Sequence, residues 1–289
     1  MIKLRHIALK LFFLLMIVSS CSPSKKQKAV IAVTQSPYQV FVEKLVQDHF
    51  EVVTLIPPGY NPHTFETKPQ QMQKLSSSAI WFGVGESFEQ KLAANLKKTK
   101  YVNLNQEIGI GPQEDLHTWM SPQMVIKQMR VMAQVIGQMY PDLKGQVDKN
   151  LGQAVSEMMY LSHEVSETLK PDRGDSIVVS HPSLGYFCKE FFLNQISLET
   201  EGKSPRPHDL RFLMQEAQRK RARCVLIQKG FDNRGALIIS EKLGIPIYHF
   251  DPSDPDYADN LTDIARNIAE SKIAECSTIP SDVEISDPI

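Results

Sequence analysis

Three histidines stand where apolar, strand-like runs give way to loops. His63 lies in PPGYNPHTFETKP, His117 in GPQEDLHTWMSP, and His181 directly after SIVVS in SHPSLGYF. Open parallel sheets bind their ligands at such strand-to-loop transitions. Imidazoles gathered there suit a transition-metal ion, because a neutral ring binds through one nitrogen while the other donates to a nearby acceptor. A tetrahedral site needs a fourth group. IPIYHFDPSDPDY offers Asp251 just past a strand end, with His249 two residues earlier as its rival. Asp251 is preferred because it falls beyond the strand.

Three histidines and an open coordination position would also suit a secreted metallohydrolase. Against that, no H-E-x-x-H occurs, and Glu114 and Asp115, the acids nearest His117, read as capping or solvated groups. His6, His49, His163 and His208 read as structural or surface residues. Around His63, Pro57, Pro58, Pro62 and Pro69 restrict the backbone. Such a loop holds its ligand in place before the ion arrives, which lowers the entropy lost on binding.

The elements that position these residues follow from periodicity. AVIAVT, EVVTLI, AIWFGV and YVNL read as strands of a first half, and SIVVS, QISLET, CVLIQ and IPIYHF as strands of a second. Helical segments between them predict an α/β fold of two doubly wound lobes, each with a mainly parallel four-stranded sheet. In the segment from Leu143 to Leu169, Val147, Leu151, Val155, Met158, Met159, Leu161 and Val165 recur at spacings near three and four. This predicts one rigid connecting helix of about 25 residues. The expected organisation is an N-terminal lobe at 28–142, the connector at 143–171, a C-terminal lobe at 172–276 and a polar tail at 277–289.

Residues 1–20 read as an export signal: Lys3, Arg5 and Lys10 precede an apolar run from Leu11 to Val18. That run is shorter than the roughly 20 residues a bilayer span requires. IVSSC resembles a bacterial lipobox, so Cys21 is expected to carry lipid, with residues 21–27 as a tether and the rest extracytoplasmic. Lys plus Arg total 32 against 33 for Asp plus Glu, so there is no basic field for nucleic acid.

From the lipobox to about Cys276, the chain resembles the metal-specific solute-binding lipoproteins of zinc and manganese ABC importers. The residues carrying the resemblance are PPGYNPHTFETKPQQMQKL, LHTWMSPQ, VSHPSLGYF, EGKSPRPHDL and YHFDPSDPDYADNL. The resemblance implies a monomer that is not an enzyme, captures Zn²⁺ between its lobes and delivers it to a membrane permease, with Mn²⁺ or Fe²⁺ as alternatives. It implies His63, His117 and His181 as ligands and Asp251 as the fourth. Histidine rather than glutamate at 181 favours zinc, since Mn²⁺ prefers oxygen.

Two departures stand out: no His-rich insertion precedes His117, and Gln228 and Lys229 replace a glutamate and proline common in relatives. Some zinc-type relatives carry a disulfide that implies a Cys224–Cys276 pair here, and export permits its oxidation. Cys188 is expected to be a buried free thiol. About an adhesin role the sequence is silent.

Overall fold

The computed structural model describes residues 28–60, 62, 65–199, 205–228, 231 and 233–271. Cys21, His63, Lys229 and Cys276 lie outside them, as do the expected signal, tether and tail. The N-terminal half runs β1 (Ala29–Gln35), α1 (Ser36–Val46), β2 (Phe50–Ile56), α2 (Pro69–Ser77), β3 (Ile80–Gly83), α3 (Ser87–Ala93), β4 (Lys100–Asn103) and α4 (Leu104–Glu107). Two helices follow, α5 (Pro122–Met139) and α6 (Lys144–Thr168). The C-terminal half runs β5 (Ser176–Val179), α7 (Gly185–Phe191), β6 (Asn194–Ser197), α8 (Pro207–Arg219), β7 (Ala222–Gln228), α9 (Arg234–Leu243), β8 (Ile247–Phe250) and α10 (Tyr257–Glu270).

Both sheets have four parallel strands, ordered β2-β1-β3-β4 and β6-β5-β7-β8. The chain therefore reverses its winding between β1 and β3 and again between β5 and β7, the crevices where such sheets take ligands. Parallel strands need cover on both faces. One hydrophobic cluster runs through both lobes, including Phe41, Trp119, Met158, Phe187 and Tyr257. Smaller clusters cover the other faces, around Trp81 in the first lobe and Val225 in the second.

The expected connector is α6, 25 residues long. It packs on α5 and α1 of the first lobe and on α10 of the second, so both lobes grip it. Its buried stripe is Val147, Asn150, Ala154, Met158, Leu161 and Val165. Met159, expected on that face, is instead 62% exposed. Successive helical residues are turned about 100° apart, so Met158 and Met159 cannot both face inward. Asn150 takes an inward place because its Nδ2 donates to Leu45 O at 2.9 Å.

Ser121 starts α5 by accepting from Met124 N–H at 3.3 Å ahead of Pro122. That start orients the segment carrying His117. Cys188 and Cys224 are buried and form no disulfide among the described residues, while Cys276, the expected partner of Cys224, lies outside them; in its reduced form, burial pushes the Cys224 thiol up to about 12.

Candidate metal site

His181 lies two residues past the end of β5 and is 6% exposed. Its Nδ1 is 2.6 Å from Glu199 Oε2. The pairing explains why: Val179 is in register with Ser197 on β6, so residues two beyond each partner face one another. The ring stacks on Phe231 with centroids 4.5 Å apart. Burial raises the Glu199 carboxyl, and His117 lowers it in part.

His117 comes from the first lobe, at the start of a 3-10 turn over Thr118–Met120. Asp115 Oδ1 accepts the His117 backbone N–H at 2.9 Å and lies 2.7 Å from its ring Nδ1. Beneath the turn is a buried polar network. Gln128 Nε2 donates to Asn105 Oδ1 at 2.9 Å and Thr118 Oγ1 at 2.8 Å, while Tyr38 Oη donates to Gln128 Oε1 at 3.0 Å. Asn105 Nδ2 donates to Val84 O and Leu116 O. With its polar groups paired, such a network fixes one arrangement.

A carboxylate at Nδ1 favours the tautomer that keeps the Nε2 lone pair available, as in carboxylate–histidine–metal arrangements. The two ring centroids are 5.1 Å apart at 75°. A ring centre sits about 3.2 Å from a zinc ion bound at Nε2, so two rings at a tetrahedral angle lie about 5.2 Å apart. The observed separation fits that spacing. Between them is a cavity of about 20 Å³, lined by both lobes: Gly59, Tyr60, Pro62, His117 and Trp119 from the first, His181, Gln228, Phe231, Asp251, Pro252 and Ser253 from the second. That is room for an ion or a water, far below the several hundred Å³ of an organic-ligand pocket.

Asp251 lines this cavity; its rival His249 does not. His249 is exposed and faces an outer groove of about 800 Å³ that also contains Asp251, Asp254, Asp256, Asp259 and Asp263. Asp251 Oδ1 accepts Ser253 N–H at 2.8 Å. Among the described residues, no three His, Cys, Asp or Glu side chains close into a complete cluster for an ion. His117, His181 and Asp251 nevertheless line one cavity, while His63 lies outside the described residues.

The reading of Glu114 and Asp115 as capping or solvated groups needs correcting for Asp115. Its carboxylate holds His117, whereas Glu114 Oε1 accepts Gly111 N–H at 2.7 Å. Glu199, Trp119, Phe231 and Glu86 were not anticipated. Glu86, 7% exposed, is pushed up to about 7, by burial first and then by Glu89, with His117 acting the other way. Glu89 is itself fully buried, accepting from Val84, Gly85 and Glu86 N–H and from Tyr101 Oη. A Cβ on Gly83 would lie 2.5 Å from Glu89 Oε2, so glycine is needed for that close approach.

Glu86 ties the stability of the fold to pH. Between the carboxyl's ordinary 4.5 and about 7, the folded state keeps a proton that the unfolded chain has lost. The Glu86 contribution to stability of the metal-free protein is therefore present below that window and falls as pH rises through it, by about 3 kcal/mol. In Glu86→Gln its share of the fall should vanish, leaving only that of the other carboxyls raised by burial, Glu89, Glu199 and Asp172. Urea unfolding in chelator from pH 5 to 8 checks it, and an unchanged slope in the variant would refute the assignment.

The family model for ZnuA, the zinc-uptake complex component A, periplasmic, matches residues 31–271. The chain belongs to this family. The crystal structure of ZnuA superposes with a TM-score of 0.78 at 31% identity, over 85% of this chain and 99% of that one. A putative metal-binding protein of Chlamydia trachomatis is 24% identical over 269 residues, covering 90% of this chain and 97% of its own. The manganese ABC transporter substrate-binding lipoprotein PsaA of Streptococcus mitis is 23% identical over 268 residues, 82% of this chain and 86% of its own. The family is one of zinc and manganese ABC solute-binding proteins, as the sequence motifs implied, and the two-lobe α/β architecture is shared. Among the described residues, no helix is long and apolar enough to cross a membrane.

Proposed function

We propose that the chain captures Zn²⁺ outside the cytoplasm and presents it to the permease of an ABC importer, without catalysing a reaction. The observation that carries this reading is the pair His117 and His181. They come from opposite lobes, each has a carboxylate at Nδ1, and their ring centres are 5.1 Å apart beside an ion-sized cavity. His63 completes the nitrogen set and Asp251 supplies the oxygen. Imidazole donors favour zinc over manganese, which suits carboxylate and carbonyl oxygen.

The outer groove supports cation capture, since its aspartates meet the cavity at Asp251 and Gln228. Clefts lined by one sign of charge raise the local concentration of the opposite ion. The division of donors between lobes supports release: coordination distances tolerate little change, so a small displacement of one lobe disrupts the set. The proposal includes signal cleavage before Cys21, a lipid anchor there, the lobe boundaries drawn from sequence, a monomer, and a Cys224–Cys276 disulfide.

Metal analysis of protein purified without chelator, followed by competition between Zn²⁺ and Mn²⁺, tests the reading. One equivalent of zinc that excess manganese does not displace is expected. Absence of bound transition metal would overturn metal capture, and preferential manganese retention would overturn zinc as cargo.

A further inference from the structure

Two polar contacts across the cleft converge on Trp119, which is 1% exposed. Its indole Nε1–H donates to Pro252 O at 2.7 Å, and its carbonyl accepts from Tyr257 Oη at 2.8 Å. Trp119 follows His117 by two residues, and its ring centroid lies 5.2 Å from that imidazole. On the far side, Pro252 is bonded directly to Asp251. The Asp251 turn is internally braced: Oδ1 accepts Ser253 N–H at 2.8 Å and Asn260 Nδ2 donates to Asp251 O at 2.8 Å. Ser36 Oγ, from the first lobe, donates to Ser253 O on the same turn.

We propose that Trp119 is a positioning residue that couples the two halves of the metal site, its indole N–H holding the Asp251 turn of one lobe against the His117 turn of the other. The inference rests on the metal-capture reading above. A buried carbonyl deprived of its donor is costly, whereas the same carbonyl in an opened cleft finds water. The Trp119–Pro252 bond therefore favours the closed arrangement and is lost when the lobes part. Such a contact governs departure of the ion more than its arrival.

Trp119→Phe keeps an aromatic face toward His117 and Tyr38 and deletes the N–H. In the metal-free full chain, amide hydrogen exchange over residues 253–256 should quicken. Stopped-flow transfer of Zn²⁺ to a chelator should show release about tenfold faster, with the association rate within about twofold of wild type. In an Asp251→Ala background the same substitution should add little, because the ligand through which it acts is gone. Tyr257→Phe removes the second bond while sparing the indole; it should shift exchange and release in the same direction and serves if Trp119→Phe does not fold.

Unchanged exchange overturns the coupling, and so does faster exchange without faster release. An equally large effect in the Asp251→Ala background marks general loosening and also overturns it. If wild-type protein binds no transition metal, the capture reading fails, while the exchange measurement still judges whether Trp119 holds the turn.

Discussion

His181→Ala is expected to weaken Zn²⁺ binding by more than about 100-fold while leaving the fold intact. Removing a group that merely orients a metal ligand typically costs 10- to 100-fold, and deleting the ligand must cost more. The fold should persist because His181 lies past a strand end, outside the hydrophobic clusters. Alanine there leaves Glu199 without the imidazole at 2.6 Å and Phe231 without its stacked ring. Both partners lie outside the strands, so the losses fall beyond the sheet. Isothermal titration with zinc, paired with far-ultraviolet circular dichroism, measures the two halves of the claim. Wild-type stoichiometry and affinity in a folded variant would remove His181 from the site.

The placement of His181 was readable because SIVVS is apolar at consecutive positions, the mark of a strand buried on both faces, and the histidine follows it at once. Its carboxylate partner was not. Glu199 is 18 residues away, two past the end of the neighbouring strand, and the contact exists because of the parallel register between β5 and β6. Periodicity reveals a strand but not its neighbour, so the sheet order and every contact depending on it stayed hidden. Asp115 was in plain view two residues before His117, yet an acid ahead of a helical turn is more commonly a cap. Trp119 lies 133 positions from Pro252, a separation that no local sequence pattern spans. The long helix was readable in length from its apolar spacing. Which of Met158 and Met159 faced inward depended on packing from both lobes.

Arg223→Ala should have the largest effect on stability, about 3–5 kcal/mol, with little effect on metal affinity. Arg223 is 9% exposed near the start of β7, and its guanidinium satisfies two sets of acceptors at once. Toward one side, Nη1 lies 3.0 Å from Asp172 Oδ1 and 3.2 Å from Asp175 Oδ2. Toward the other, Nε donates to Ile268 O, and Nη2 to Ala269 O and Ser271 O, satisfying carbonyls at the end of α10. A positive charge is also favourable at that helix end. Burial raises the Asp172 carboxyl and Arg223 opposes the rise, so removing the cation leaves carboxylates with a large uncompensated desolvation cost. Arg221, 3.2 Å from Asp175 Oδ1, offsets only part of that loss, being well exposed. For a chain of this size the melting temperature should fall by about 10 °C. The metal site should be spared because β7 runs from Arg223 at one end to Gln228 at the cavity wall at the other. Calorimetry of the metal-free protein and a zinc titration at 25 °C separate the two effects. A melting shift below about 2 °C would show that the ion pairs and helix-end bonds are not stabilising, and a loss of zinc affinity matching that of His181→Ala would show that the two ends of the strand are not independent.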